Sequence, residues 1–313
     1  MDNAEIYETI KSGPKKTGNP LSAWLLLGVS LFAFIGLGVI AWEIKVIALL
    51  AIAIFVHELG HLLAMRLYKY KNLKMMFLPL LGGIASGESK EPDAYKIAMI
   101  SILGPFVGFL SCFVSVALGV ATNETLFFEY AYMSFFLSAF NLLPIMPLDG
   151  GQFLNETLFN RFPKAELWFT VIAIIGLGYL SYIYGSWLFG IAALFMLSTI
   201  SISYQMAKVA RDLRLEAGFK DGDITEEKIA KIRNALMTAN PYFEEGNNIN
   251  GLPDLINNMW LRVNKNFPSV PKTFFLILVY LVVTFGFSAF TWGLIDAAQE
   301  NESTQQIAPF NAD

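Results

Sequence analysis

Residues 44–66 read IKVIALLAIAIFVHELGHLLAMR. Between its basic ends this stretch is apolar except for His57, Glu58 and His61. An ionisable side chain inside a bilayer costs about 2.5 kcal/mol or more, so three of them in one apolar helix indicate a function. Because side chains four positions apart lie on the same face of an α-helix, the two histidines can converge on one metal ion. They are also the only histidines in the chain.

The spacing His-Glu-x-x-His is typical of a zinc site in which the glutamate is a general base. Glu58 follows the first histidine and can take a proton from a water that the metal activates. The motif supplies two ligands, whereas a catalytic zinc usually has three from the protein and keeps a fourth position open. Each residue also has a plainer interpretation, since a lone membrane histidine is more often a packing residue and short motifs arise by chance. The rest of the chain must supply a third ligand.

The composition is that of a membrane protein. Of the 313 residues, 55% are hydrophobic and 15% are charged, well below the roughly 25% charged residues of soluble domains. Long apolar runs recur, so we predict an all-α polytopic protein embedded in a lipid bilayer. The net charge of -4 gives no reason to expect a nucleic-acid partner. Cys112 is the single cysteine, which excludes an internal disulfide and a metal cluster held by cysteines.

The apolar runs predict about seven transmembrane helices. They cover residues 21–42, 46–65, 96–120, 126–146, 166–184, 187–206 and 273–295. The predicted organisation is a cytoplasmic N-terminal arm, a membrane-embedded domain of six spans with its core at 46–151, a cytoplasmic helical appendage, a last transmembrane helix and an extracytoplasmic tail. These five parts are residues 1–20, 21–206, 207–272, 273–295 and 296–313.

One apolar stretch is too short to cross a bilayer. Residues 75–87, MMFLPLLGGIASG, contain Pro79 and the pair Gly82 and Gly83. We predict a re-entrant loop or hairpin, because a break of this kind does not suit a spanning helix. An exposed edge that carries these glycines can pair with an extended peptide by strand addition, which makes Gly82 and Gly83 candidate substrate-binding residues. A plain interfacial loop is the alternative.

A second unusual segment closes the fourth predicted span. Residues 141–151 read NLLPIMPLDGG. Pro144 and Pro147 cannot continue a regular helix, so the backbone must break there, which is tolerated at membrane depth only where it is buried in protein or lines a polar site. Asp149 then lies where a third, carboxylate ligand is needed. Taken alone, Asp149 would more often be a turn residue, and Asn141 would more often form an interhelical hydrogen bond.

The basic residues predict the orientation of the spans. If seven spans are counted, almost all lysines and arginines fall on one side of the membrane, and the opposite connections hold only Lys45. The positive-inside rule therefore predicts a cytoplasmic N-terminus and appendage and a C-terminus outside. His57 then lies about 13 Å from the cytoplasmic end of its helix, at 1.5 Å per residue. The break before Asp149 falls on the same side, so both halves of the candidate site can meet.

The appendage at 207–272 shows two amphipathic patterns. Apolar residues recur at helical spacing in each of them. They are Ile229, Ile232 and Leu236 in the first and Leu255, Met259, Trp260 and Val263 in the second. We predict a small helical region with no motif of its own.

The pairing of HELGH at 57–61 with NLLPIMPLDGG at 141–151 resembles the site-2 protease family of intramembrane zinc metalloproteases. The resemblance covers residues 46–151, and no position that the two motifs need is altered. It implies that Asp149 is the third ligand of one catalytic Zn²⁺ and that Asn141 helps to hold the scissile carbonyl. It also implies that the glycine-bearing stretch is a substrate-pairing hairpin.

A site of this kind would cleave a membrane protein that has a transmembrane helix, with Glu58 as the general base. The protein would be a multi-pass protein, and we place it in a bacterial inner or plasma membrane.

The sequence is also compatible with two other classes of protein. In a transporter or channel, intramembrane His, Glu and Asp mark an ion path, and similar broken segments are expected in both halves of the chain. Here the polar intramembrane residues lie mainly before residue 152. A membrane scaffold with a structural zinc would tend to close the site with four protein ligands, and the sequence offers no obvious fourth.

Overall fold

The computed structural model describes residues 1–12, 20–40, 42–78, 82–89, 93–185, 187–220, 222–239 and 251–294. The chain divides into two compact units. The motif unit contains both sequence motifs and comprises residues 18–89, 95–153 and 268–313. The appendage unit comprises residues 1–17, 90–94 and 154–267.

Helices account for most of the described residues. The first five are α1 (Asn3–Ser12), α2 (Pro20–Gly38), α3 (Ile44–Leu67), α4 (Ala94–Thr122) and α5 (Thr125–Asn141). A short helix α6 (Asp149–Leu154) runs directly into a π-helical turn at Asn155–Phe159. There follow α7 (Pro163–Tyr184), α8 (Trp187–Leu215), α9 (Glu226–Ala239), α10 (Leu252–Asn264) and α11 (Val270–Leu281), which continues into a π-helical turn at Val282–Phe287.

A helix lies at each of the seven positions where the sequence predicts a span. In the described part of the chain, four helices are long and apolar enough to cross a membrane. They are Ile44–Leu67, Ala94–Thr122, Lys164–Ile183 and Val270–Leu294. The total of seven spans therefore remains a prediction. The predicted tail at 296–313 lies outside the described residues.

The all-α class is wrong in one place, because residues after α3 form an antiparallel hairpin of two strands. Strand β1 (Lys71–Leu78) pairs with β2 (Gly82–Glu88), and Phe77 lies opposite Gly83. The sequence prediction allowed a hairpin but began it at residue 75. Strand β1 begins four residues earlier, so Lys71 and Lys74 also belong to it, and their side chains follow the alternation of a strand. Entry of this hairpin into the membrane remains a prediction.

In the motif unit, α3 is held between close neighbours. Its apolar side chains form a buried cluster with α2 and β1 that comprises Phe34, Ile47, Ala51, Ile54 and Phe77. On another side the backbones of α3 and α4 touch, since a Cβ on Gly60 would lie 2.5 Å from the carbonyl oxygen of Leu103 and 2.9 Å from the Cα of Gly104. Small residues permit such close approach of helices inside membranes. This packing fixes the helix that carries the first motif.

The appendage unit has its own hydrophobic core. The predicted apolar faces of α9 and α10 are buried in it, with Ile229, Ile232 and Val263 fully covered. Ile6 of α1 is also fully buried in this cluster, so the N-terminal residues pack as a helix with the appendage. The sequence did not predict that contact, because one buried residue in a polar ten-residue segment gives little periodic signal.

Candidate metal centre

Helix α3 brings the three residues of the first motif into the interior of the motif unit. His57, Glu58 and His61 are all buried. The two histidines lie one turn apart on the same face, and their rings meet edge to face with centroids 5.0 Å apart. Their Nε2 atoms are 3.3 Å apart, so both rings present the same nitrogen to one point.

Asp149 reaches this point because the chain folds back after α5. That helix ends at Asn141, and a turn that includes both prolines leads to Asp149, the first residue of α6. Gly150 and Gly151 lie against the backbone of this turn, where a Cβ on either residue would collide with main-chain atoms. The two glycines therefore permit the tight return that presents the aspartate.

The three predicted metal ligands meet at one point. Asp149 Oδ2 lies 2.9 Å from His57 Nε2 and 3.2 Å from His61 Nε2. Around a tetrahedral zinc with bonds of about 2.0 Å, ligand atoms stand about 3.3 Å apart. The observed separations are close to this value, and one carboxylate with two imidazoles is a common ligand set for zinc. The residues present therefore fit the ion that the sequence motif implies.

A backbone contact selects the tautomer of His61. Its Nδ1 lies 2.8 Å from the carbonyl oxygen of Ile100 in α4, and a carbonyl can only accept. The proton of neutral His61 is therefore on Nδ1, and Nε2 keeps a lone pair for a metal. Gly104 makes room for this ring, since a Cβ at that position would collide with His61 Nε2 and Cε1.

Glu58 lies beside the three ligands and against the hairpin. Its carboxylate accepts a hydrogen bond from the backbone amide of Ala85 in β2. A Cβ on Gly83 would lie 2.8 Å from Glu58 Oε1, so the strand passes directly over this side chain. Gly82 begins the strand with a positive φ of 104°, a conformation that favours glycine. The two predicted glycines thus differ, because Gly83 contacts the site, whereas Gly82, the first residue of β2, has a backbone conformation that favours glycine.

Asn141 lies at the end of α5, and its side chain bonds to its own helix. Its Nδ2 donates to the carbonyl oxygen of Leu137 at 2.9 Å. Its role in holding a substrate carbonyl stays a prediction.

Sequence reasoning missed several residues that shape the site. Ile100 acts through its backbone carbonyl, which leaves no signal in the residue type. Helix α4 runs through Gly104 and Pro105, and Gly104 accommodates His61. The repeat of small residues at Gly104 and Gly108 was the available signal, because that spacing is typical of close helix contacts.

Comparison with known proteins gives a consistent result. Residues 45–128 and 120–182 match the model described as Peptidase family M50. Among curated proteins, the zinc metalloprotease MJ0392 of Methanocaldococcus jannaschii is 31% identical over 157 residues, which are 47% of this chain and 45% of that protein. The putative zinc metalloprotease sll0528 of Synechocystis is 27% identical over 137 residues, which are 42% of this chain and 36% of that protein.

Two further proteins are similar to this chain. Stage IV sporulation protein FB of Bacillus subtilis is 25% identical over 140 residues, which are 42% of this chain and 47% of that protein. The solved site-2 protease from Methanocaldococcus jannaschii is 26% identical and is matched over 57% of this chain and 85% of that chain, with a TM-score of 0.37. The chain spans less than half the length of the curated relatives it matches.

Proposed function

We propose that the chain is an intramembrane zinc metalloprotease of peptidase family M50, the site-2 protease family, whose model matches residues 45–128 and 120–182. Its proposed reaction is hydrolysis of a peptide bond in or near the transmembrane segment of a membrane-protein substrate. The observation that supports this most strongly is the convergence of His57, His61 and Asp149 within about one ligand-to-ligand distance, with Glu58 beside them.

The side chains have separate tasks in this mechanism. His57 Nε2, His61 Nε2 and Asp149 Oδ2 would hold the metal. A bound zinc ion supplies a Lewis acid that polarises the scissile carbonyl and activates a water. Glu58 accepts the proton of the attacking water and then donates it to the leaving amine. The amide of Ala85 orients the Glu58 carboxylate for both transfers.

Asn141 is the candidate for stabilising the oxyanion that forms on the substrate carbonyl. An amide donor aimed at developing negative charge is a common device in peptide hydrolysis. Its Nδ2 donates to Leu137, so this role requires a side-chain rotation when substrate binds. Asn141 would then exchange one carbonyl acceptor for another.

The hairpin is the proposed binding place of the substrate. In the part of the chain that the structure describes, β2 pairs only with β1, so its other edge can accept an extended peptide. A transmembrane helix hides its carbonyl groups in its own hydrogen bonds, so the substrate must unwind before it can be cut. Pairing with β2 near Gly82 and Gly83 would hold the unwound segment beside Glu58.

We further propose that the protein is a multi-pass protein of a bacterial inner or plasma membrane, with its N-terminus and appendage in the cytoplasm. The distribution of lysine and arginine supports this orientation. The substrate would therefore be cut near the cytoplasmic side of the bilayer.

The experiment that tests this function removes and restores the metal. Protein purified in detergent is stripped with a chelator and incubated with single-span model substrates, with and without added Zn²⁺. We expect no cleavage from the stripped protein and recovery with about one zinc per chain. If the protein binds about one zinc per chain but cleaves none of the substrates, the result would favour a membrane scaffold with a structural zinc. If the wild-type protein binds no zinc, the result would favour a transporter or channel in which these residues mark an ion path.

A further inference from the structure

The Nδ1 atom of His57 has no hydrogen-bond acceptor among the described residues, whereas the Nδ1 atom of His61 has one. Metal-binding histidines almost always donate their second ring N–H to a neighbouring acceptor, which fixes the ring and raises its basicity. His61 does so through Ile100. His57 Nδ1 is buried and has no hydrogen-bond partner among the described residues. A buried donor left without an acceptor costs about 1–3 kcal/mol, so an acceptor is expected nearby.

A second buried atom in the same place is also without a partner. Ser138 in α5 is fully buried, and within the described ranges its Oγ forms no hydrogen bond. This is unusual, because a serine inside a helix commonly bonds to the carbonyl of the preceding turn. Ser101 in α4 does so with Ile97. The Ser138 hydroxyl is therefore free to accept.

Gly108 brings these two atoms together. A Cβ built on this glycine would collide with Ser138 Oγ and would lie 3.6 Å from His57 Nδ1. Since both atoms adjoin the same small space, one hydrogen bond or one ordered water can connect them. The glycine keeps this space free of a side chain. Three helices thus meet at this space: α3 contributes the ring of His57, α5 contributes the hydroxyl of Ser138, and α4 contributes the backbone of Gly108.

We propose that Ser138 is a positioning residue for the metal centre: its Oγ accepts the Nδ1–H of His57, directly or through one water, and so directs Nε2 at the ion. Ser138 touches neither metal nor substrate and acts only through the histidine. This role rests on the proposed function, because it assumes that His57 binds zinc. It gives both histidines an acceptor, a backbone carbonyl for His61 and a hydroxyl for His57.

The test measures zinc affinity by competition with a chelator for the full-length protein and Ser138→Ala. Replacing a residue that supports a ligand typically weakens metal binding about 10–100-fold, and we expect a loss in this range. Ser138→Cys, with a weaker acceptor of similar size, should give an intermediate affinity. The melting temperature of the metal-free proteins is measured in parallel to show that each variant folds.

Ser134→Ala is the matched control. Ser134 is equally buried one turn earlier in α5, but its hydroxyl already donates to the carbonyl oxygen of Gly108 at 2.9 Å. Its loss should lower the melting temperature and leave zinc affinity within about twofold, since no ligand is touched. Unchanged affinity in Ser138→Ala, or an equal loss in Ser134→Ala, would overturn the proposal and leave the function standing. Absence of zinc binding in the wild type would overturn the function itself.

Discussion

Gly83 lies directly against Glu58, so that a Cβ on the glycine would be 2.5 Å from Glu58 Cγ. The same Cβ would lie 2.8 Å from the side chain of Ile54, one turn earlier in α3. The strand that would bind the substrate and the candidate base are thus in contact. A side chain at position 83 must displace either the strand or the carboxylate.

Gly83→Ala should therefore lower kcat while zinc is retained. A displacement of about 1 Å in a catalytic group can cost about 100-fold in rate, and we expect a loss of that order. The measurement is the cleavage rate together with metal content. Gly176→Ala in α7 is the control, because no described atom beyond its neighbours and its own helix backbone lies within 4 Å of its Cβ position. Full activity in Gly83→Ala would show that this contact does not position the base.

Gly104→Ala should abolish zinc binding rather than catalysis alone. The new Cβ would occupy the place of the His61 ring, so the imidazole must move away from the other two ligands. Zinc content after dialysis measures the effect.

The control for this substitution is Gly119→Ala in the same helix. Its Cβ would contact the ring of Phe128 at 2.8 Å, far from any candidate ligand in sequence. It should lower thermal stability and keep stoichiometric zinc. Normal zinc content in Gly104→Ala would mean that His61 is not a ligand.

Asp149→Asn should weaken zinc binding strongly. The amide is nearly isosteric with the carboxylate but carries no negative charge, and Asp149 Oδ2 is the atom that faces both histidines. We expect a loss of affinity of more than about 100-fold, above the range for residues that only support ligands. Chelator competition measures it, and Glu129→Gln serves as a control because Glu129 lies on the surface. Equal zinc affinity in the two variants would exclude the aspartate as a ligand.

The ion pair between Lys265 and Glu156 should matter for the stability of the appendage unit. Lys265 Nζ lies 2.7 Å from Glu156 Oε1, and both side chains are largely buried. Lys265→Met removes the amine paired with this buried carboxylate, while Arg262 and Arg214 stay near it. We therefore expect a loss of about 3 kcal/mol in the free energy of unfolding, the lower end for a broken buried pair. Denaturant unfolding followed by fluorescence measures this loss.

An exposed pair provides the comparison. Lys45 and Glu129 are about half exposed, so Lys45→Met should change the free energy of unfolding by about 1 kcal/mol or less. Replacing both members of the buried pair, by Lys265→Met with Glu156→Gln, should recover part of the stability. Equal effects of Lys265→Met and Lys45→Met would contradict the assignment of the first pair as buried.

The sequence predicted the parts of the site that depend on spacing along one element. The turn of a helix brings His57 and His61 together, and two prolines before Asp149 predict the break that presents it. The start of the hairpin was harder to predict, because Lys71 and Lys74 precede the apolar stretch that indicated it. The acceptor of His61 is a backbone carbonyl on another helix, which no residue type reveals. Contacts between elements, such as Gly83 against Glu58, require the folded chain.

The measurement that tests the central claim most directly pairs zinc content with cleavage for wild type and Glu58→Gln. The amide keeps the size of the side chain and cannot accept the proton of the attacking water, so the metal ligands are unaffected and general-base catalysis is lost. We predict about one zinc per chain in both proteins and at least a 100-fold lower cleavage rate in the variant, about the lower limit for such catalysis. A Glu58→Gln protein that keeps its zinc and cleaves at the wild-type rate would contradict the mechanism.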